Sequence, residues 1–278
     1  FEHRNYLPSA GFAVLAALGI VQGVARVDAL RLRAVTAGIL GILVALLLVR
    51  TNAWSDETQL ARFNVINHPL SARANFFYGN ALFKRFQQSR ELGLDEEEQR
   101  ALAVTSRGYF ERMHVLDERN FSALVMLYQL DTQYFPGLAQ ENDWLETMLI
   151  LAQTRRLQSS DRTALAALVE FSLTPVAVEG RNRVGRLLQQ LVARYPHRLD
   201  IVALQYRFVM ATAPGEKDAV LPLLERVAQK NPDNPYALAY LTQYYGSDDL
   251  ANTYEAIREW MRRDQLRREL PVVRAMFE

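Results

Sequence analysis

The chain has 278 residues, half of them hydrophobic, with 32 basic against 31 acidic side chains and no cysteine. That length suits one large domain or two smaller ones, and the balanced charge argues against a dedicated nucleic-acid binder, which would carry a basic face or stripe. The lack of cysteine excludes disulfides, thiolate nucleophiles and cysteine metal sites.

Mean hydropathy is only −0.10, so the apolar residues must be concentrated in particular segments. The first is Leu7 to Ala25, which holds no charge; a second uncharged run, Ala34 to Val49, is bracketed by Arg33 and Arg50. A helix rises about 1.5 Å per residue, and a bilayer core of roughly 30 Å takes about 20 residues. The first run meets that length. The second is short, but arginines at both ends can snorkel and extend it. Two transmembrane helices are expected, at about 7–25 and 33–50. No basic n-region or small-residue cleavage site precedes the first run, which is therefore no ordinary secretory signal; further sequence, with further membrane helices, is expected upstream. The link between the runs carries Arg26, Arg31 and Arg33 against Asp28. The positive-inside rule places this link in the cytoplasm and both outer ends outside it. Tyr6 and Trp54 then share the outer interface. Gly19, Gly23, Gly38 and Gly41 are small enough to let helices of the hairpin approach closely.

After Trp54 the pattern changes to amphipathic helices separated by short turns, with self-similarity near the roughly 34-residue period of tetratricopeptide (TPR) repeats. Ser71 to Leu82 reads SARANFFYGNAL, with Tyr78-Gly79 at the large-then-small pair of a first repeat helix. Tyr195-Pro196 and Asn231-Pro232 close two later segments, and VAQKNPDNPYALAYL, from Val227 to Leu241, joins a closing helix to the next opening one. Five helix pairs are expected, near 71–118, 121–158, 160–196, 199–232 and 235–268, after a leading helix at 56–67. Asp95 with Glu98, and Asp143 with Glu146, have the spacing of a cap and a returning carboxylate. The expected fold is all-α: a two-helix transmembrane hairpin over 1–54, then a TPR-like α-solenoid over 55–278. Tyr236, Tyr240 and Tyr244 recur every fourth residue on one first-type helix. They are candidates for binding a protein partner, with packing between repeats as the alternative.

Chemistry is sparse in this solenoid. The sequence has no P-loop, no dinucleotide glycine fingerprint and no H-E-x-x-H, and its four histidines, His3, His68, His114 and His197, are scattered. Asp56-Glu57 and Asp248-Asp249 stand at apparent helix starts, where acids favour the positive dipole end. No cofactor or metal is expected.

The front of the chain is different. Glu2, His3, Arg4 and Asn5 pack an acid, an imidazole, a guanidinium and an amide just before an apolar run. The string EHRNYLPSAGF resembles the (E)-x-R-x-Y-L-P-S-x-G motif of the transmembrane-and-TPR (TMTC) family of protein O-mannosyltransferases and its bacterial relatives. RTNAWSDETQL at 50–60 and SARANFFYGNAL extend the likeness. It implies the C-terminal part of a GT-C-type glycosyltransferase in a bacterial inner membrane, using a lipid-phosphate-linked sugar, with periplasmic TPRs that recruit a protein acceptor. Under it, Glu2, His3, Arg4 and Asn5 are candidates for binding lipid phosphate or sugar, while the catalytic acidic motif belongs upstream. The alternative is a non-catalytic, membrane-anchored TPR scaffold that assembles an envelope or membrane protein complex. Either way the expected partners are membrane lipid and a protein in the TPR groove, and no nucleic acid.

Overall fold

A computed structural model describes residues 29–54, 56–231, 234, 236–246, 248–264 and 271. The described residues are all-helical, with no strand among them. The proposed first membrane span and Glu2, His3, Arg4 and Asn5 lie outside the described residues. The chain divides into two compact units between Phe63 and Asn64.

In the first unit, α1 (Ala29–Trp54) is continuous over 26 residues. Every side chain described from Ala34 to Leu48 is exposed, with Ile42, Leu46, Leu47 and Leu48 each above 60%. Apolar residues surround the axis, so this helix has no polar side to turn to water. Among the described residues no single helix is long and apolar enough to cross a membrane, the apolar part of α1 running only from Ala34 to Leu48. A bent pair over Asp161–Ser172 and Pro175–Arg194 passes by length and composition. However, its Leu165, Leu168, Val184, Leu187 and Leu188 are buried in the core, so it is a core element.

Helix α2 (Glu57–Asn67) crosses the boundary, and the second unit continues with α3 (Ala72–Gln87), α4 (Glu96–Leu116), α5 (Phe121–Tyr134), α6 (Pro136–Glu141), α7 (Trp144–Thr154), α8 (Asp161–Ser172), α9 (Val178–Arg194), α10 (Leu199–Thr212), α11 (Leu221–Lys230), α12 (Tyr236–Tyr245) and α13 (Leu250–Arg263). The local reasons are those of the sequence. Asp95 accepts from the Glu98 backbone N–H at 2.8 Å while Glu98 accepts from that of Asp95, a reciprocal capping box. Ser71, Asp143 and Asp249 cap α3, α7 and α13 by accepting from the N–H three residues on, and Asp56 accepts from Thr58 N–H. One acid of each adjacent pair, Asp56 and Asp249, thus caps a helix, while Asp248 accepts from Lys217 Nζ at 3.1 Å. Helix α6 interrupts the pair expected at 121–158. It begins on Pro136, as short 3₁₀ turns begin on Pro175 and Pro214, because proline fits the first helical position and lacks only a donor that would be unpaired there.

Helices pack on their chain neighbours, and also in rows: α5 on α8, α8 on α10, and separately α7 on α9. Hydrogen bonds repeat between alternate helices. The Arg194 guanidinium at the end of α9 donates to the Ala152 and Arg155 carbonyls at the end of α7. The Arg263 guanidinium, ending α13, donates to Ala228 near the end of α11. A cation on the last carbonyls of a helix satisfies orphan acceptors and the negative dipole end together. One hydrophobic core runs from Phe121 to Trp260, the latter fully buried. A smaller cluster of Phe83, Phe110, Leu127 and Leu130 joins α3, α4 and α5.

Candidate functional site

A cleft of about 860 Å³ opens along α8, α10 and α12. Arg162 and Ala166 come from α8, His197 and Arg198 from the turn after α9, and Asp200, Ala203, Leu204 and Arg207 from α10. Asn231 and Asn234 come from the connection after α11, and Tyr236 and Tyr240 from α12. Two turns are tied together at its edge, where Asn231 Nδ2 donates to the His197 carbonyl at 3.2 Å. Asn234 Oδ1 accepts from the Tyr236 N–H and starts α12. The cleft is therefore held by turns of successive helix pairs rather than by one loop.

Three arginines line this cleft against one acid. Arg198 donates through Nε to Asp200 Oδ1 at 3.1 Å and through Nη2 to Oδ2. Arg207 is paired with Glu170. Arg162 is exposed and makes no ion pair among the described residues. Partial burial acts to raise the Asp200 carboxyl, but hydrogen bonds from Arg198 and its charge outweigh that and leave it below the usual carboxylate range. The opposite shift, upward, falls on Arg198, chiefly through its bond to Asp200. Asp200 stays ionised and holds one arginine in place, and Glu170 balances Arg207, so the positive charge left over belongs to Arg162.

The three tyrosines separate. Tyr236 is 50% exposed at the cleft mouth, and Tyr240 is half-buried, its ring edge-on to Tyr206 at 5.9 Å. Tyr244 is buried at 8% exposure; its hydroxyl donates to Asp218 at 2.6 Å, and that bond pushes its pKa up to about 12. Two of the three face the cleft, and the third packs in the core. Sequence reasoning missed Arg162, Arg198, Arg207, Asn231 and Asn234. The signal for Arg162 and Arg207 was their place on first-type helices, as for the tyrosines, but an isolated arginine on a helix ordinarily reads as a solvated face.

A second, smaller pocket of about 130 Å³ lies where Tyr128, Asp131, Thr132, Trp144 and Arg183 meet. Tyr128 is 8% exposed and its hydroxyl has no partner of ordinary hydrogen-bond geometry, Thr132 being the polar side chain beside it. Burial pushes this phenol's pKa up. A Cβ at Gly180 would stand 2.0 Å from that hydroxyl and 3.0 Å from Leu145 Cδ1. Gly180→Ala should therefore destabilise by about 1–3 kcal/mol through overpacking. Tyr128→Phe should cost little, because it removes a buried hydroxyl already unsatisfied. A urea double-mutant cycle should show most of the Gly180→Ala loss recovered in the Tyr128→Phe background. Strict additivity of the two changes would refute the clash.

Among the described residues no three histidines, acids or cysteines are grouped to hold a metal. Comparison of the sequence with known protein families and with curated proteins finds no match.

Proposed function

We propose that the second unit is a TPR-type solenoid that holds a segment of a protein acceptor, and that α1 belongs to a transmembrane hairpin tethering it to a bilayer. The cleft carries this reading. It is open, built by α8, α10 and α12, and offers a cation unpaired among the described residues, two amides and two tyrosine rings, the groups that grip an extended peptide without reading one fixed sequence. The uniformly apolar, exposed surface of α1 supports the tether, because water gives such a helix no face to prefer. The resemblance of residues 2–12 to the TMTC motif supports a further step: the whole is the C-terminal part of a GT-C-type glycosyltransferase, with its lipid-phosphate-linked sugar handled near Arg4. A non-catalytic scaffold for an envelope or membrane complex is the second reading, supported by the same open cleft and the same exposed apolar helix.

Recruitment is uniform binding, made equally in ground and transition states, so its loss raises KM and spares kcat. In the full-length protein, Arg162→Glu together with Tyr240→Ala should raise KM for a folded protein acceptor about tenfold, equivalent to about 1.4 kcal/mol. Transfer to a short peptide acceptor that does not reach the cleft should be unchanged. A fall in kcat for both acceptors would overturn recruitment by the cleft. Full-length protein that binds the acceptor through the cleft but transfers no sugar would decide for the scaffold.

A further inference from the structure

From Thr58 to Arg90 the chain carries five cations, Arg62, Arg73, Lys84, Arg85 and Arg90, and no acid, although the two signs nearly cancel over the whole sequence. Helix α3 arranges part of this set on one surface. At about 100° per residue, Arg73, Phe77, Asn80 and Lys84 fall in a narrow stripe, opposite the buried Asn75, Gly79 and Leu82. Arg73 and Lys84 are exposed, Phe77 is 43% exposed, and the Arg73 guanidinium lies 5.3 Å from the Phe77 ring centre. Just before the helix, Ile66 and Leu70 are 64% and 77% exposed. Arg62, Arg73, Arg85 and Arg90 form no ion pairs among the described residues.

We infer that this face of α3, with the exposed Ile66 and Leu70 just before it in the chain, docks onto the anionic headgroups of a lipid surface. Cations interleaved with exposed aromatic and aliphatic side chains, without acids, match a surface that is negative outside and apolar just beneath. A protein groove would ordinarily be met by segregated apolar and charged zones, with acids available to set register. The same chain carries the exposed apolar helix α1, which ends at Trp54, a few residues before α2 begins. The face asks only for anionic headgroups and so serves on either leaflet. It stands on observations separate from the cleft.

The 278 residues contain no cysteine, so a single Asn80→Cys carries an environment-sensitive fluorophore on this chain, with Arg186→Cys, on the exposed side of α9, as the control position. On vesicles of phosphatidylcholine with phosphatidylglycerol, the probe at 80 should shift to the blue and be quenched by headgroup-labelled nitroxide lipid. On phosphatidylcholine alone it should remain in a watery environment, as the probe at 186 should on both. Arg73→Glu with Lys84→Glu should cut the quenching roughly tenfold, in line with the cost of losing and reversing basic contacts to an anionic surface, while helicity is unchanged. A probe at 80 that stays wet on anionic vesicles overturns the proposal, as does an equal response without phosphatidylglycerol or after charge reversal. Protection of that probe by a protein alone, with no response to vesicles, assigns the face to a protein and equally overturns it.

Discussion

Asp131→Ala should destabilise the second unit by about 3–5 kcal/mol, the range for removing one partner of a buried ion pair. At about 2–4 °C per kcal/mol for a domain of this size, the midpoint should fall by roughly 6–20 °C. Asp131 is completely buried in the last turn of α5, an expensive place for a carboxylate. It is satisfied from two other helices. Arg107 of α4 donates through Nε to Oδ1 at 2.5 Å and through Nη2 to Oδ2 at 3.0 Å, and Trp144 of α7 donates its indole N–H to Oδ2 at 2.8 Å. The bond to Asp131 is also the main reason the Arg107 pKa is raised against the effect of burial. Removing the carboxylate strands a buried guanidinium and a part-buried indole N–H together, leaving only Glu111 on the arginine. Asp131→Asn keeps the shape and one acceptor oxygen, so its loss should be intermediate. Urea unfolding of the two variants gives the comparison. A loss under about 1 kcal/mol for Asp131→Ala would show that water already reaches the carboxylate, and the buried network would be discarded as a source of stability.

The second large effect is expected at Phe110. Its side chain is 0% exposed, packed with Phe83, Leu127 and Leu130 and tilted against Phe76 at 6.1 Å. Truncation of a buried phenylalanine costs about 3–5 kcal/mol, transfer and cavity terms combined. Gly79 makes the seat. A Cβ there would meet Phe110 Cε1 at 3.1 Å and Tyr109 Cβ at 3.2 Å, so α3 and α4 approach closely only because position 79 has no side chain. Next to it, Tyr78 stands edge-on to Tyr109 at 4.7 Å. Phe110→Ala should open space for the missing methyl, so Gly79→Ala should cost less in that background than alone. Denaturant midpoints for the four proteins test this. Equal costs of Gly79→Ala in both backgrounds would mean that the ring is not what the glycine accommodates.

The helices themselves were legible in sequence. Periodicity placed the leading helix and the outer bounds of the helix pairs, though not α6, because caps such as Asp95, Asp143 and Asp249 and punctuating prolines act through local backbone chemistry that needs no tertiary partner. The Tyr78-Gly79 pair reads in sequence only as the large-then-small pair of a first repeat helix. The uniform apolarity of α1 was visible for the same reason: it depends on composition around one axis alone.

Side-chain roles were another matter. Tyr236, Tyr240 and Tyr244 share a spacing, yet two border the cleft and one is locked in the core by Asp218, 26 positions away. Four residues advance a helix about 400°, so each step of that repeat drifts about 40° around the axis. Where the drift crosses from groove to core is set by the helices packed alongside, which the spacing does not contain. Asp131 reads in LVMLYQLDTQY as an ordinary helical acid. Only the fold brings Arg107 and Trp144 to it, from 24 and 13 positions away. The sequence by itself determined where helices start, stop and turn an apolar side, because those are contests between a residue and its own backbone. Only the tertiary structure decided which arginines face a common cleft and which acid is buried, because those depend on distances between residues that the chain order leaves far apart.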